Sequence, residues 1–308
     1  MTLQQLQYII MLEKYRSFAK AAEVCDITQP TISKMIANLE DELDVKLFER
    51  SSKKVFPTDL GNRIISQARK VVMESERILE IIKETKDSVS GKLKLSIGPS
   101  ISPYILPAFI RHYVDSFPEV SLSIEEMRPD SMIQSLLLGT IDAGIALGGN
   151  KHDGIFEIPL YSESFYVYIA DTCSHNSSSF TPDQLNNKNM WVMKEVQCLR
   201  ESTFSFCKAR ETGRRVYEAG NIDTLIRVVD ENGGFTIIPE MHLNFLTEKQ
   251  KMNVRKLEGN SRSGRKISMY IRQDYVREKM LNTISSTLIK CIPEKMIEPS
   301  LMRFGIRL

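Results

Sequence analysis

The apolar residues of this chain change their period near residue 90, and no other feature constrains the fold as strongly. Before that point they recur every three or four positions. From about residue 92, short β-rich runs (KLKLSI, VSLSIEE, IDAGIAL, FYVYIA, MWVM and FTIIP) alternate with helical stretches. A spacing of three to four buries one face of a helix, whereas short apolar or alternating runs make strands. Strands that alternate with helices predict an α/β architecture with a largely parallel sheet behind an all-α head. Ser88, Ser90 and Gly91 mark the junction, and 308 residues are enough for two or three domains.

The head reads as three helices followed by a hairpin. Leu3, Leu6, Ile9, Ile10 and Leu12 form one apolar face, and Phe18, Ala19, Ala21, Ala22 and Cys25 form a small-residue helix. Thr28 is the expected N-cap of the third helix, with Pro30 in its first turn, where the missing N–H does no harm. Ile32, Ile36, Leu39 and Leu43 turn inward, leaving Gln29, Thr31, Ser33, Lys34 and Asn38 on the opposite face. Small alanines let two helices cross closely, and the second helix can then offer its first turns to base edges in a major groove. Gln29, Ser33 and Asn38 can hydrogen-bond bases, while Lys34 suits phosphate. VKLFERSSKKVFPT follows as two short strands with a basic tip at Ser51 to Lys54, a wing. The net charge is only +2, yet Lys46, Arg50, Lys53, Lys54, Arg63, Arg69 and Lys70 outnumber Glu49 and Asp59 seven to two. A patch of that sign can track a phosphate backbone. Thr58 caps a long helix from Asp59 to about Lys86, and its stripe of Ile64/Ile65, Ala68, Val71/Val72, Ser75, Ile78/Leu79 and Ile82 predicts a dimerisation seam.

Composition excludes several classes. With 42% hydrophobic and 26% charged residues the chain is neither disordered nor fibrous. It contains no run of about 18 apolar residues that could span a membrane. MTLQQLQYIIMLEKYRSFAK lacks the parts of a signal peptide, so a cytoplasmic protein is expected. Five cysteines do not make a disulfide framework, and Cys25, Cys173 and Cys291 read as inert small side chains. The four histidines show no metal-ligand spacing beyond the weak Cys173/His175 pair, so neither metal nor cofactor is expected.

The segment SFAKAAEVCDITQPTISKMIANLEDELDVKLFERSSKKVFPTDLG resembles the N-terminal signature of the LysR-type transcriptional regulators. The remainder, including NGGFTIIP, is similar to their effector domain. The resemblance implies a winged helix-turn-helix (1–58), a linker helix (59–90) and a two-subdomain regulatory domain hinged like a periplasmic binding protein. It divides the latter into 91–163 with 268–308, and 164–267. The implied partners are double-stranded promoter DNA, further copies of the chain as a dimer or dimer of dimers, and RNA polymerase, with no membrane.

QCLRESTFSFCKA narrows the resemblance to the hydrogen-peroxide sensors of that family. By that likeness Cys198 is the peroxidatic thiol, Cys207 the resolving one, and thiol reductants such as glutaredoxin or thioredoxin reverse their disulfide. Ser100 and Arg265 then occupy peroxide-pocket positions beside Gln197 and Arg200. Gln197 replaces a histidine found in some of those sensors, and Pro129 replaces a hydroxyl-bearing residue. An amide can donate a hydrogen bond but cannot shuttle a proton. If residues 198 to 207 are helical, nine steps turn the second thiol by about 180° and raise it by ~13.5 Å. A disulfide needs Cα atoms roughly 4.4–6.8 Å apart, so oxidation would have to dismantle that helix. A thiolate that attacks peroxide becomes a sulfenic acid, which a second thiol resolves. Closing the loop constrains the open chain by about 2–3 kcal/mol, enough to bias two nearby conformations.

Two other function classes stay open on the sequence. One is a LysR-type regulator that takes a small organic effector between its subdomains, with incidental cysteines. The other is a stoichiometric thiol peroxidase, which leaves the first 90 residues without a role. No GxSxG, HExxH or GxGxxG is present, and GNSRSGRK has Arg265 where a phosphate loop needs lysine.

Overall fold

The computed structural model describes residues 1–50, 55–84, 89–170, 179–180, 191, 221–257 and 264–304. The chain forms two compact units, one made of Met1–Ser88 with Leu137–Thr140 and the other of Val89–Leu136 with Ile141–Leu308.

The first unit holds α1 (Leu3–Tyr15), α2 (Phe18–Val24), α3 (Gln29–Leu43), β1 (Phe48–Arg50), β2 (Val55–Pro57) and α4 (Asp59–Glu84). Each of the first three helices starts on a hydroxyl: Thr2, Ser17 and Thr28 accept from the backbone N–H three residues on. These bonds satisfy donors that a helix start otherwise leaves orphaned. Leu6, Ile9, Leu12, Ala21, Ala22, Ile32, Ile36 and Leu39 make the core. Leu3 departs from the expected face and is exposed, while Gln5 and Tyr8 are buried instead. β1 and β2 pair antiparallel, Phe48 with Pro57 and Arg50 with Val55, as a wing. Glu40 anchors it: this buried carboxylate on α3 accepts from the backbone N–H groups of Leu47 (2.8 Å) and Phe48 (3.1 Å). Thr58 closes the far side, donating to the Lys46 carbonyl (2.9 Å) and accepting from Gly61 N–H (2.9 Å).

The stripe of α4 divides. Ile65 and Ala68 belong to the core of the first unit rather than to a seam. Further along, Ile78, Leu79, Ile81 and Ile82 are each more than half exposed, at 63%, 60%, 53% and 55%.

The second unit contains β3 (Gly91–Ile97), α5 (Ser102–Ser116), β4 (Val120–Glu126), α6 (Pro129–Leu137), β5 (Ala143–Leu147), β6 (Ile155–Ile169), β7 (Ser179–Phe180), α7 (Ile222–Asn232) and β8 (Phe235–Pro239). A 3₁₀ turn (Glu240–Phe245), α8 (Glu248–Lys251), β9 (Val254–Leu257), β10 (Gly264–Arg272), α9 (Glu278–Cys291), a second 3₁₀ turn (Glu294–Met296) and α10 (Pro299–Phe304) complete it. The strand order is β4-β3-β5-β10-β6-β9-β7, with β8 also paired to β6. The sheet is mixed rather than largely parallel: β3 runs parallel to β4 and β5, and β7 to β9, but β10 is antiparallel to β5 and β6, and β6 to β8 and β9. Residues 155–164 of β6 pair with β10, and residues 165–169 pair with β8. In β10 the register shifts between Ile267 and Ser268. β6 thus changes partner along its length and β10 shifts register against it, while both strands remain continuous. Of the expected strand MWVM, Trp191 lies outside any strand, where its indole donates to the Gly233 carbonyl (2.8 Å); the other three residues fall outside the described ones.

Candidate functional site

Gln29, Pro30, Thr31, Lys34 and Asn38 are exposed on α3, with Ser33 partly covered. The inward stripe of Ile32, Ile36 and Leu39 fixes that orientation. Thr31 Oγ1 lies 2.8 Å from Thr28 Oγ1, so its hydroxyl is shared with the helix cap. Arg50 ends β1; Lys53 and Lys54 lie outside the described residues. The basic patch is weaker than its sequence count. Lys46 pairs with Glu40 (3.2 Å) and Arg69 with Glu13 of α1 (2.6 Å), carboxylates that lie outside the counted segment.

In the second unit a buried ion pair organises the neighbourhood of Ser100. Arg265 of β10 donates through Nε to Glu163 Oε1 of β6 at 2.8 Å, with side-chain exposures of 5% and 0%. Glu163 Oε2 accepts from Met241 N–H (3.0 Å), and Arg265 Nη2 donates to the Ser100 carbonyl (3.2 Å). One carboxylate and one guanidinium therefore tie four segments together. A buried charge is tolerated when its partner and hydrogen bonds are this complete. The Arg265 guanidinium also lies over the Tyr104 ring at 6.0 Å. Tyr104 Oη meets His242 Nδ1 at 3.0 Å, and the His242 ring stacks on Phe245 at 5.9 Å. Next to this cluster is a cavity of about 300 Å³ whose lining includes Ser100, Ser102, Tyr104, Glu126, Asp223 and His242. Ser102 donates to Glu126 there at 2.7 Å. Burial pulls His242 below its usual range although Asp223 acts the other way, and burial pushes the Tyr104 hydroxyl up.

The structure thus brings Ser100 and Arg265 together, as a backbone contact rather than through the serine hydroxyl. Pro129 begins α6. Gln197, Cys198, Arg200 and Cys207 lie outside the described residues, as does Cys173. Cys25 caps the end of α2 half-buried, and Cys291 is half-buried with its thiol 3.3 Å from the Thr287 carbonyl. Burial pushes both thiols up, which disfavours the reactive thiolate form. Sequence reasoning missed Glu163, Tyr104 and His242. For Glu163 a signal existed: a lone carboxylate beside the apolar run FYVYIA must find a partner once that strand is buried.

Comparison with known proteins agrees with this architecture. Residues 3–62 match the model of bacterial regulatory helix-turn-helix proteins of the lysR family, and residues 86–288 match the LysR substrate binding domain. The chain is 29% identical to the Hydrogen peroxide-inducible genes activator of Haemophilus influenzae over 245 residues, 78% of this chain and 81% of that one. It is likewise 29% identical to the DNA-binding transcriptional dual regulator OxyR of Escherichia coli over 243 residues, covering 78% and 80%. Among solved structures, a full-length cysteine-to-aspartate variant of Pseudomonas aeruginosa OxyR superposes with a TM-score of 0.80 at 27% identity, covering 97% of this chain and 98% of the other. The two family models together match well over half of the chain, and it belongs to the LysR family of DNA-binding transcriptional regulators.

Proposed function

We propose that this regulator responds to hydrogen peroxide through Cys198 and Cys207. Peroxide oxidises the Cys198 thiolate to a sulfenic acid, Cys207 resolves it to an intramolecular disulfide, and a thiol reductant such as glutaredoxin or thioredoxin restores the thiols. The observation that carries this reading is QCLRESTFSFCKA, in a chain that aligns over most of its length with relatives named for peroxide. Of the alternatives, an organic effector would need no such cysteine spacing.

The reading extends to the rest of the molecule. Residues 1–58 bind promoter DNA, with Gln29, Pro30, Thr31, Ser33, Lys34 and Asn38 in the groove and Arg50, Lys53 and Lys54 on the backbone. Residues 59–90 join two copies, and two such dimers associate. Residues 91–163 with 268–308, and 164–267, form the halves whose relation the disulfide changes, altering the spacing of the DNA heads and the contact with RNA polymerase. The continuous strands β6 and β10 support such a hinge, because a sheet that changes partners along one strand gives two halves a shared axis.

The test is thiol trapping after brief exposure to peroxide, followed by mass spectrometry. A Cys198–Cys207 link is expected, and Cys198→Ser or Cys207→Ser is expected to abolish peroxide-dependent transcription while DNA binding persists. An unchanged response in either variant refutes the switch.

A further inference from the structure

The cavity of about 300 Å³ beside the Glu163–Arg265 pair is lined by polar atoms that lack partners. His242 Nε2 is the clearest case: the side chain is 3% exposed, yet this atom has no hydrogen-bond partner among the described residues. A buried polar atom left so is costly and calls for an explanation. The rest of the ring is held, with Nδ1 3.0 Å from Tyr104 Oη and the ring stacked on Phe245 at 5.9 Å. Burial pulls His242 below its usual range, so the imidazole is neutral and Nε2 can offer a lone pair. Asp223 Oδ1 of α7 lies 3.8 Å from Nε2, too far for a direct bond. A single nitrogen about 2.9 Å from each atom would bridge them. Glu126 of β4 adds a third acceptor. Ser102 donates to one of its carboxylate oxygens at 2.7 Å, and the other has no partner among the described residues.

The charges around the cavity point the same way. Among the described residues, Glu126 and Asp223 are the charged side chains that line it, and no lysine or arginine does. Arg265 stands outside the lining, its charge met by Glu163 at 2.8 Å. An anion entering here would face two carboxylates with no cation to offset them, whereas a cation would be attracted. Phe245 also lines the space with a side chain that is 55% exposed, and an aromatic face attracts a cation. A primary ammonium carries three donors and no acceptor, which matches Nε2, Asp223 and Glu126. The volume is at the low end for small-molecule sites, so the ligand is short. We propose that this cavity binds a small primary amine as its ammonium ion. The ammonium donates to His242 Nε2, Asp223 and Glu126, which fixes the imidazole proton on Nδ1 against Tyr104 Oη. The proposal is independent of the cysteine reading: no thiol takes part, and either can fail while the other holds.

Binding is measured by saturation-transfer NMR on the reduced, full-length protein, with butylammonium, 1-butanol and butyrate as probes of one chain length and different charge. Butylammonium is expected to give a saturable signal that neither 1-butanol nor butyrate displaces. Glu126→Gln removes one charged hydrogen bond and is expected to weaken binding about tenfold or more. His242→Phe keeps an aromatic ring against Phe245 but loses Nε2, and is expected to weaken binding as well. Asp223→Asn should have a smaller effect, because that side chain is 61% exposed. Both carboxylates are exposed, so their variants keep the test valid even where His242→Phe does not fold. Glu248→Gln removes the same charge from a side chain that is 89% exposed and does not line the cavity, and is expected to leave binding unchanged. A butylammonium signal that does not saturate overturns the proposal, and so does displacement by butyrate. Equal binding by Glu126→Gln and the unaltered protein, or equal weakening by Glu248→Gln, removes the amine from this cavity.

Discussion

Replacing Glu163 by alanine should destabilise the second unit more than any surface change, and the pair with Arg265 sets the size of the effect. The two side chains are 0% and 5% exposed, and their 2.8 Å contact is supported by the Met241 N–H and the Ser100 carbonyl. Removing one member of a buried pair leaves an uncompensated charge and costs about 3–5 kcal/mol. The orphaned Met241 N–H adds about 1 kcal/mol or more. A loss on the order of 4–5 kcal/mol is therefore expected for Glu163→Ala. Replacing both members by apolar residues, Glu163→Leu with Arg265→Met, removes the uncompensated charge and should cost no more than about 2 kcal/mol. The single variant is then less stable than the double, an inversion that simple loss of contacts cannot produce. Trp191 is the chain's one tryptophan and hydrogen-bonds to Gly233 and Thr236, so its fluorescence in guanidinium reports unfolding of this unit alone. A cost below about 1 kcal/mol for Glu163→Ala, or a double variant less stable than the single, refutes the reasoning.

Two further outcomes concern the first unit. A Cβ added at Gly61 would lie 2.1 Å from the Leu47 carbonyl oxygen, a backbone atom that carries the wing. Although alanine is the better helix former by about 1 kcal/mol, Gly61→Ala should lower the stability of this unit by about 2–3 kcal/mol in thermal melts; a gain would show that the wing base moves freely. Ile78→Lys combined with Leu79→Lys puts charge on the exposed stripe of α4 and should reduce the solution mass in sedimentation while the helix content holds; an unchanged mass removes this stripe from the interface.

What could be read from the sequence follows how locally each feature is specified. Thr28, Pro30 and the stripe of Ile32, Ile36 and Leu39 act within a few residues, so the recognition helix and its orientation follow from spacing alone. The sheet direction does not. β3, β4, β5, β8 and the second half of β6 were legible from their own apolar runs, whereas β7, β9 and β10 were not among the expected strands; β10 pairs with β5 across more than a hundred residues, and nothing near Ile267 says which neighbour it will meet. Arg265 and Glu163 are 102 residues apart, and each alone resembles a surface charge. Arg265 was legible only through family resemblance, and that route supplied the residue without its partner. His242 was illegible for a related reason: a single histidine carries no spacing signal, and its meaning arises where α5 and the turn after β8 converge.

The α4 helix shows the same limit within one element. Its apolar stripe continues from Ile64 to Ile82 without a break in period, yet Ile65 and Ala68 are buried in their own unit and Ile78 to Ile82 are exposed. Periodicity states that a face must be covered and is silent on what covers it. The early part is covered by α1, where the Arg69–Glu13 pair at 2.6 Å pins the two helices together. Beyond that contact the helix continues past the globule, so its stripe can be buried only by something outside this unit. A second copy of the same helix meets that requirement with no further surface, since a stripe complementary to itself is what a two-fold seam uses.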